Sequence, residues 1–294
     1  MTDNQWYLKN YQEQFSAKDT QRIIPKIEAA LAIEQAERNS HRDTKHLHSS
    51  EMSKDNWCPR STWYKITDHE ESDPQSMNLK RMNIFAEGHS IHDKWQRWMW
   101  KAGGLSGDWK CLTCDYKWPD RAPSMCPVCS SDDIRYAEVA LSNERYRIIG
   151  HADGIWEDSH GKAVIEIKSI GLGTIRWDAP KLYEGYENGD LTLDDLWKKI
   201  KRPLTTHRRQ VNLYMMCLGI HDAVVIYEFK ASQEVKEFQL KYDPDLIAPI
   251  LEGADDVLDA LESGVAPPRH LTATSKSCNT CRFCPYKTMC WSPK

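Results

Sequence analysis

Five cysteines constrain this chain more than anything else in it. Cys58 stands alone in WCPRSTW, whereas Cys278, Cys281, Cys284 and Cys290 crowd into CNTCRFCPYKTMC. The tail spacing C-x-x-C-x5-C, with one remote cysteine, makes a four-thiolate set of Cys58, Cys281, Cys284 and Cys290. A fold that unites them must close a loop of about 220 residues, and cross-linking stabilises most when the loop is long. What lies between is expected to be one folded unit. Cys278 forms a further C-x-x-C with Cys281 and can stand in for one of the four.

A second set is spaced differently. Cys111-x-x-Cys114 and Cys126-x-x-Cys129 are separated by eleven residues, which is a zinc-ribbon pattern that closes locally. Trp109, Tyr116 and Trp118 are expected to pack around so small a knuckle. Only Cys217, of ten cysteines, falls outside a ligand-like spacing. In a reducing compartment that distribution favours metal over disulfides. The N-terminus has no signal-peptide core, and no apolar run approaches the ~20 residues of a membrane span. An intracellular protein with no membrane association is therefore expected.

The 294 residues can form one large domain or two ordinary ones, and 40 % hydrophobic residues allow a buried core. A net charge of −4 gives no global hint of nucleic-acid binding. Positive charge is local: Lys198, Lys199, Lys201, Arg202, Arg208 and Arg209 read either as a solvated helix face or as an edge that contacts phosphates.

Helical spacing of Ile23, Ile27, Ala30 and Leu31 predicts a helix beginning near Pro25. The polar, His-rich residues 41–56 (with His41, His46 and His48) read as a linker or mobile loop. A second helix is expected over 79–102, ended by Gly103-Gly104. Residues 135–141, 145–156 and 163–169 read as three strands. Two short helices follow within 180–203, then a helix over 206–220, a strand pair over 222–229 and 235–242, and a closing helix over 244–264. This order is α/β, a mixed sheet flanked by helices.

AVIEIKS is the strand that carries chemistry. Side chains alternate along it, so Glu166 and Lys168 share one face and Ile165 and Ile167 the other. If the strand holding Asp153 pairs beside it, Asp153 reaches Glu166, and two buried carboxylates repel unless a cation separates them. Hard oxygen ligands suit Mg²⁺ or Mn²⁺, and Lys168 can then contact the scissile phosphate and position a metal-bound water. His92, in EGHSIH within the second helix, is an acceptable third ligand. Gln210 and Tyr214, four apart, share a helix face and can hold a phosphate or a water. Singly, each has a structural reading: an ion pair on a solvated face, a core histidine, ordinary amphipathic positions.

Taken in order, Gly88 to His92, Gly150 to Asp153, Glu166 to Lys168 and Gln210 to Tyr214 resemble the motifs of the RecB-like branch of the PD-(D/E)XK nuclease superfamily. The resemblance implies a restriction-endonuclease-like mixed central sheet. It assigns His92, Asp153, Glu166 and the Ile167 carbonyl to Mg²⁺ or Mn²⁺, the catalytic water to Lys168, and supporting roles to Gln210 and Tyr214. Cys58 followed by Pro59-Arg60, with the late cysteines, resembles the iron–sulfur signature of CRISPR-associated RecB-like exonucleases and AddB-type nucleases, which implies a [4Fe–4S] cluster on Cys58, Cys281, Cys284 and Cys290. Zinc is the alternative for four thiolates.

The expected organisation is an N-terminal helical segment and linker (1–56), a nuclease domain (57–294) and a zinc-ribbon insertion within it (105–136). The expected activity is phosphodiester hydrolysis by a DNA exonuclease or end-processing nuclease in recombination, replication or repair, in a bacterium, an archaeon or one of their viruses. Its partners would be single-stranded DNA or duplex ends. No G-x-x-x-x-G-K-[ST] loop is present, so any unwinding falls to a helicase or another recombination or replication protein. The rival readings are a non-catalytic module that binds DNA or a partner through the same fold and ribbon, and a redox sensor governed by the cluster.

Overall fold

A computed structural model describes residues 22–40, 42–74 and 78–292. The chain divides into two compact units, Met1–Asp43 with Ser76–Ala86 and Thr44–Gln75 with Glu87–Lys294. In the first, α1 (Ile24–Ser40) forms where expected. Its apolar residues do not build a core, however: Ile23, Ile24, Ile27 and Ile33 are exposed. His41 lies outside the described residues.

In the larger unit, β1 (Leu47–His48), α2 (Ser49–Met52) and α3 (Pro59–Ile66) come first. The expected linker is therefore partly structured. Leu47 is fully buried and pairs in parallel with Ile148, and Ser49 and Met52 are buried beside it. A single apolar residue among polar neighbours carries no periodic signal, so tertiary pairing alone makes this strand. Helix α4 (Leu79–Lys101) enters the unit from Glu87 onward.

Seven strands then follow: β2 (Leu105–Cys111), β3 (Lys117–Arg121), β4 (Ile134–Tyr136), β5 (Val139–Asn143), β6 (Ile148–Ala152), β7 (Gly154–Asp158) and β8 (Gly161–Ile170). Short helices α5 (Leu172–Asp178), α6 (Pro180–Glu187) and α7 (Leu193–Lys199) lead to α8 (Thr205–Leu218). The chain ends with β9 (Asp222–Phe229), β10 (Val235–Lys241), α9 (Pro244–Ser263) and α10 (Lys287–Trp291).

The main sheet runs β10-β9-β8-β7-β2-β3, with β4 attached to β2, and a second sheet runs β1-β6-β5. Only β8 and β9 pair in parallel in the main sheet, so it is mixed. The strand expected over 145–156 is two strands in two sheets, broken at Asp153. That over 135–141 is likewise broken, at Ala137-Glu138, where Glu138 adopts φ +62°. Helix α8 fills the space beneath: Val211, Tyr214 and Met215 pack with Val164, Val225 and Tyr227, while Leu213 joins Leu47, Ile148 and Ile247.

The four ribbon cysteines close locally, as expected, but the ribbon is no appendage. Leu105 and Ser106 of β2 pair with Trp156 and Ile155 of β7. Trp109, Cys111, Trp118 and Cys126 are buried in one cluster with Ile165, Ile167 and Ile226. Trp109→Ala should therefore destabilise the whole unit by about 3–5 kcal/mol. Urea unfolding that shows a loss confined to zinc content, with the main transition unmoved, would contradict this continuity.

Candidate metal centre

The break at Asp153 is what builds the site. Leaving β6 and entering β7, the chain turns the Asp153 carboxylate inward. Its Oδ2 accepts the Ile167 amide at 2.6 Å and its Oδ1 lies 3.0 Å from His92 Nδ1. The Gln96 side chain fixes the backbone by donating to the Asp153 carbonyl at 3.0 Å. Gly150, three residues earlier on β6, has no room for a side chain: a Cβ there would sit 2.3 Å from Ser49 Oγ. Gly88 differs, since a Cβ would meet only Ser169 Oγ at 3.9 Å, so packing does not require that glycine.

His92, Glu138 and Asp153 each offer a ligand atom within 4.8 Å of the others. Glu138 was missed in the sequence. Its only signal is an acid in the otherwise apolar run YAEVAL. Two backbone hydrogen bonds hold its segment to β2: Asp108 N donates to the Glu138 carbonyl at 2.8 Å, and Ala137 N donates to the Asp108 carbonyl at 2.7 Å. Burial and the neighbouring Asp153 charge raise the Glu138 carboxyl above its ordinary value. For His92, burial opposes protonation, but Asp153 outweighs it and the ring is raised overall.

On β8, Glu166 is buried and Lys168 Nζ lies 2.5 Å from its Oε1, as an ion pair without hydrogen-bond geometry. Burial pushes the Glu166 carboxyl up to about 7, against the pull of Lys168. Burial works against the Lys168 charge, yet Glu166 and Asp153 raise it overall. Ile167 meets Asp153 through its amide rather than its carbonyl. Gln210 Nε2 donates to Tyr214 Oη at 2.5 Å, both residues being buried. Burial, then the charges of Glu166 and Asp153, hold the Tyr214 phenol well above its usual range. Deeper still, Tyr227 Oη accepts from the Leu204 amide at 2.8 Å and meets His207 Nδ1 at 2.5 Å.

Two acids about 4 Å apart repel by ~4 kcal/mol at an effective dielectric of ~20. Glu138 and Asp153 therefore form, with His92, a cluster that a divalent cation would stabilise, and the buried Glu166 carboxylate, ion-paired to Lys168, bears on Asp153 from beside it. Carboxylates with one imidazole and no thiolate match Mg²⁺ or Mn²⁺. The cluster is thus consistent with a metal-dependent active site.

The ribbon thiols suit a smaller tetrahedral ion. Cys111 and Cys129 sulfurs lie 3.5 Å apart and Cys114 and Cys126 sulfurs 3.7 Å, near the ~3.8 Å edge of a tetrahedron with 2.3 Å Zn–S bonds. The two knuckles repeat one backbone form: Asp115 and Ser130, each just after the second cysteine, have φ +59° and +58°. Burial opposes ionisation of Cys111, but the amides of Cys114 and Thr113 and the nearby thiols bring it down to about 6.

Cys58, Cys281, Cys284 and Cys290 line one cavity with Ser61, Arg269 and Trp291; Cys278 does not line it. All ten cysteines are free thiols. Burial pushes the Cys281 thiol up to about 11, although the Trp291 indole beside it pulls the other way.

The basic residues do not form one free patch. Lys198 pairs with Asp194 at 2.6 Å, Arg209 with Asp55, and Arg208 with Asp243 at 3.9 Å. Lys199, Lys201 and Arg202 are exposed.

No protein-family model matches this sequence, and no curated protein does. Solved structures align only loosely. SSO0001 shares 14 % identity over 92 % of this chain and 98 % of its own, with a TM-score of 0.43. LHK-Exo in complex with dAMP shares 13 % over 75 % and 89 %, at 0.42. The alkaline exonuclease LHK-Exo from Laribacter hongkongensis gives 14 % over the same shares, at 0.41. No helix among the described residues is long and apolar enough to cross a membrane.

Burial holds the His207 ring well below the usual histidine range. The unfolded chain then binds a proton that the folded one refuses, so stability is lost as pH falls below about 6.5. In urea titrations between neutral and mildly acidic pH, His207→Gln should flatten that loss; an unchanged pH profile would show that His207 does not contribute.

Proposed function

We propose that this chain is a metal-dependent deoxyribonuclease that hydrolyses phosphodiester bonds in single strands or at DNA ends. One observation carries the reading: His92, Glu138 and Asp153 converge beside a buried Glu166–Lys168 ion pair, on both members of which the Asp153 charge bears. The motif order from Gly88 to Tyr214 supports it. His92, Asp153, Glu138 and Glu166, with the Ile167 carbonyl, would hold Mg²⁺ or Mn²⁺. When bound, the ion supplies a Lewis acid for the phosphoryl oxygen and makes its water more acidic.

The chain's own groups do the rest. Lys168 presents an ammonium to the scissile phosphate and the attacking water, stabilising charge that develops there. Gln210 and Tyr214, linked to each other, orient a phosphate oxygen or a water. His92 and the Ile167 amide fix the Asp153 carboxylate so that it needs no rearrangement during reaction. We assign residues 57–294 to the nuclease domain, together with β1 and α2, which belong to the same unit, and 105–136 to its ribbon. Exposed Lys199, Lys201 and Arg202 provide contacts to backbone phosphates. Unwinding, where needed, falls to a helicase or another recombination or replication partner inside a reducing compartment.

For the cysteine sets, we assign Zn²⁺ to Cys111, Cys114, Cys126 and Cys129. A [4Fe–4S] cluster falls to Cys58, Cys281, Cys284 and Cys290, with Cys278 outside it; its role there is to tie the chain's distant parts together. The cavity lining supports that choice of four. Zinc in the second set remains the competing assignment.

With Mn²⁺ and labelled DNA, Lys168→Ala should lower cleavage by about 10²–10⁴-fold while circular dichroism stays unchanged. Full activity in that variant would sink the assignment. Glu138→Gln should weaken Mn²⁺ binding, followed by electron paramagnetic resonance, by about tenfold or more; unchanged affinity removes Glu138 from the ligand set. Anaerobic purification should give brown protein that contains both iron and zinc. Cys58→Ser should lose the colour and Cys278→Ser keep it; colourless wild-type protein that holds only zinc would overturn the iron assignment.

A further inference from the structure

An open cleft of about 300 Å³ is lined by Asp108, Lys117, Trp118, Pro119, Ala137, Ala140 and His151. Its two walls come from different parts of the fold. One is the ribbon, with Asp108 on β2 paired to Pro119 on β3. The other is the small sheet, where Ala140 of β5 pairs with His151 of β6.

Two residues of the lining tie the cleft to the metal site: Ala137 directly precedes Glu138 in the chain, and Asp108 carries the backbone bonds that fix the Glu138 segment. His151 is close enough for its charge to bear on the Glu138 carboxyl.

The lining has the chemistry of a polynucleotide site. Lys117 and His151 are exposed and can meet phosphates. Trp118 is largely buried in the core and shows the cleft only an edge; its ring stacks on Tyr116 at 6.0 Å and 16°, and Tyr116 is the exposed aromatic beside Lys117. Ala137 and Ala140 leave an unobstructed floor. Asp108 is an acceptor for a base amino group. The volume is at the small end of ligand pockets, about 300–1,000 Å³. It suits one unpaired nucleotide rather than a base pair, and single strands are held by this combination of cations and aromatic faces.

We propose that the zinc ribbon and the β5–β6 sheet together form the substrate cleft, which holds one unpaired nucleotide of a single-stranded polynucleotide next to the phosphate being cut. This rests on the nuclease reading and makes the ribbon a wall of the substrate site. A duplex end must fray to enter.

The test is binding, separate from cleavage. Full-length, zinc-loaded protein without added Mg²⁺ or Mn²⁺ is titrated into fluorescein-labelled oligo(dT), oligo(U) and a blunt DNA duplex, and anisotropy is followed. Lys117→Glu, at an exposed position, reverses the charge, and Ala140→Trp fills the floor. Lys241→Glu makes the same charge change on β10, at the opposite edge of the main sheet. The first two should each weaken oligonucleotide binding by at least ~10-fold, with a shallower salt dependence for Lys117→Glu. Lys241→Glu should not, and the duplex should bind more weakly than the single strands. A ratio of oligo(dT) to oligo(U) affinity near one assigns the site to either sugar; a large ratio assigns it to the tighter one. Oligonucleotide binding unaffected by both cleft variants, with zinc content and melting unchanged, overturns the proposal, as does equal binding of the duplex. If that occurs while Lys168-dependent cleavage persists, the cleft fails and the nuclease reading stands. Cleft-dependent binding without Lys168-dependent cleavage leaves the cleft and removes the nuclease.

Discussion

The repulsion among Asp153, Glu138 and Glu166 is the constraint around which the larger unit is arranged. Each acid arrives by a different route: Asp153 at a break between two sheets, Glu138 at a left-handed residue between two strands, and Glu166, beside them, on a ten-residue strand. Keeping them together takes specific opposition. The Ile167 amide, His92 and Lys168 supply it on three sides. Helix α8 closes the fourth side with a phenol and an amide that are bonded to each other. A cation is the remaining element that the His92, Glu138 and Asp153 cluster calls for.

The same geometry explains why the two sheets meet where they do. A strand that continued straight through Asp153 would keep its carboxylate in one pleat with its neighbours. Because β6 belongs to the small sheet and β7 to the large one, Asp153 sits at a seam, accessible to groups from both. The ribbon strand β2 lies on the same seam. It extends the main sheet through Leu105 and Ser106, and it pins the Glu138 segment through Asp108. Core, ribbon and site are thus one mechanical object within the unit.

Much of this was legible in the sequence, and the omissions have a common cause. The E-x-K strand, the Gln210–Tyr214 helix and the hairpin of β9 and β10 announce themselves through periodicity, which is local. The ribbon's spacing is local too, and its sulfurs meet as read. What was not legible depends on partners remote in sequence. Leu47 becomes a strand only because Ile148 is beside it, and β2 joins the main sheet only because β7 offers an edge. Glu138 acquires significance only once Asp153 and His92 arrive. The apolar face of α1 misleads in the opposite direction: helical spacing forms the helix there without burying it.

The cavity lined by Cys58, Cys281, Cys284 and Cys290 bears on how the protein is made. A ribosome adding ~5–20 residues per second takes about 10–45 s to travel between the first and second of these thiols. Throughout that interval Cys58 has none of its companions, while the ribbon cysteines, close together in the chain, can gather almost at once. The ribbon is therefore able to mature early, whereas the cavity at Cys58 can be completed only after Cys290 has been added. Closure of that cavity thus follows, in time, the synthesis of all the chain between its thiols.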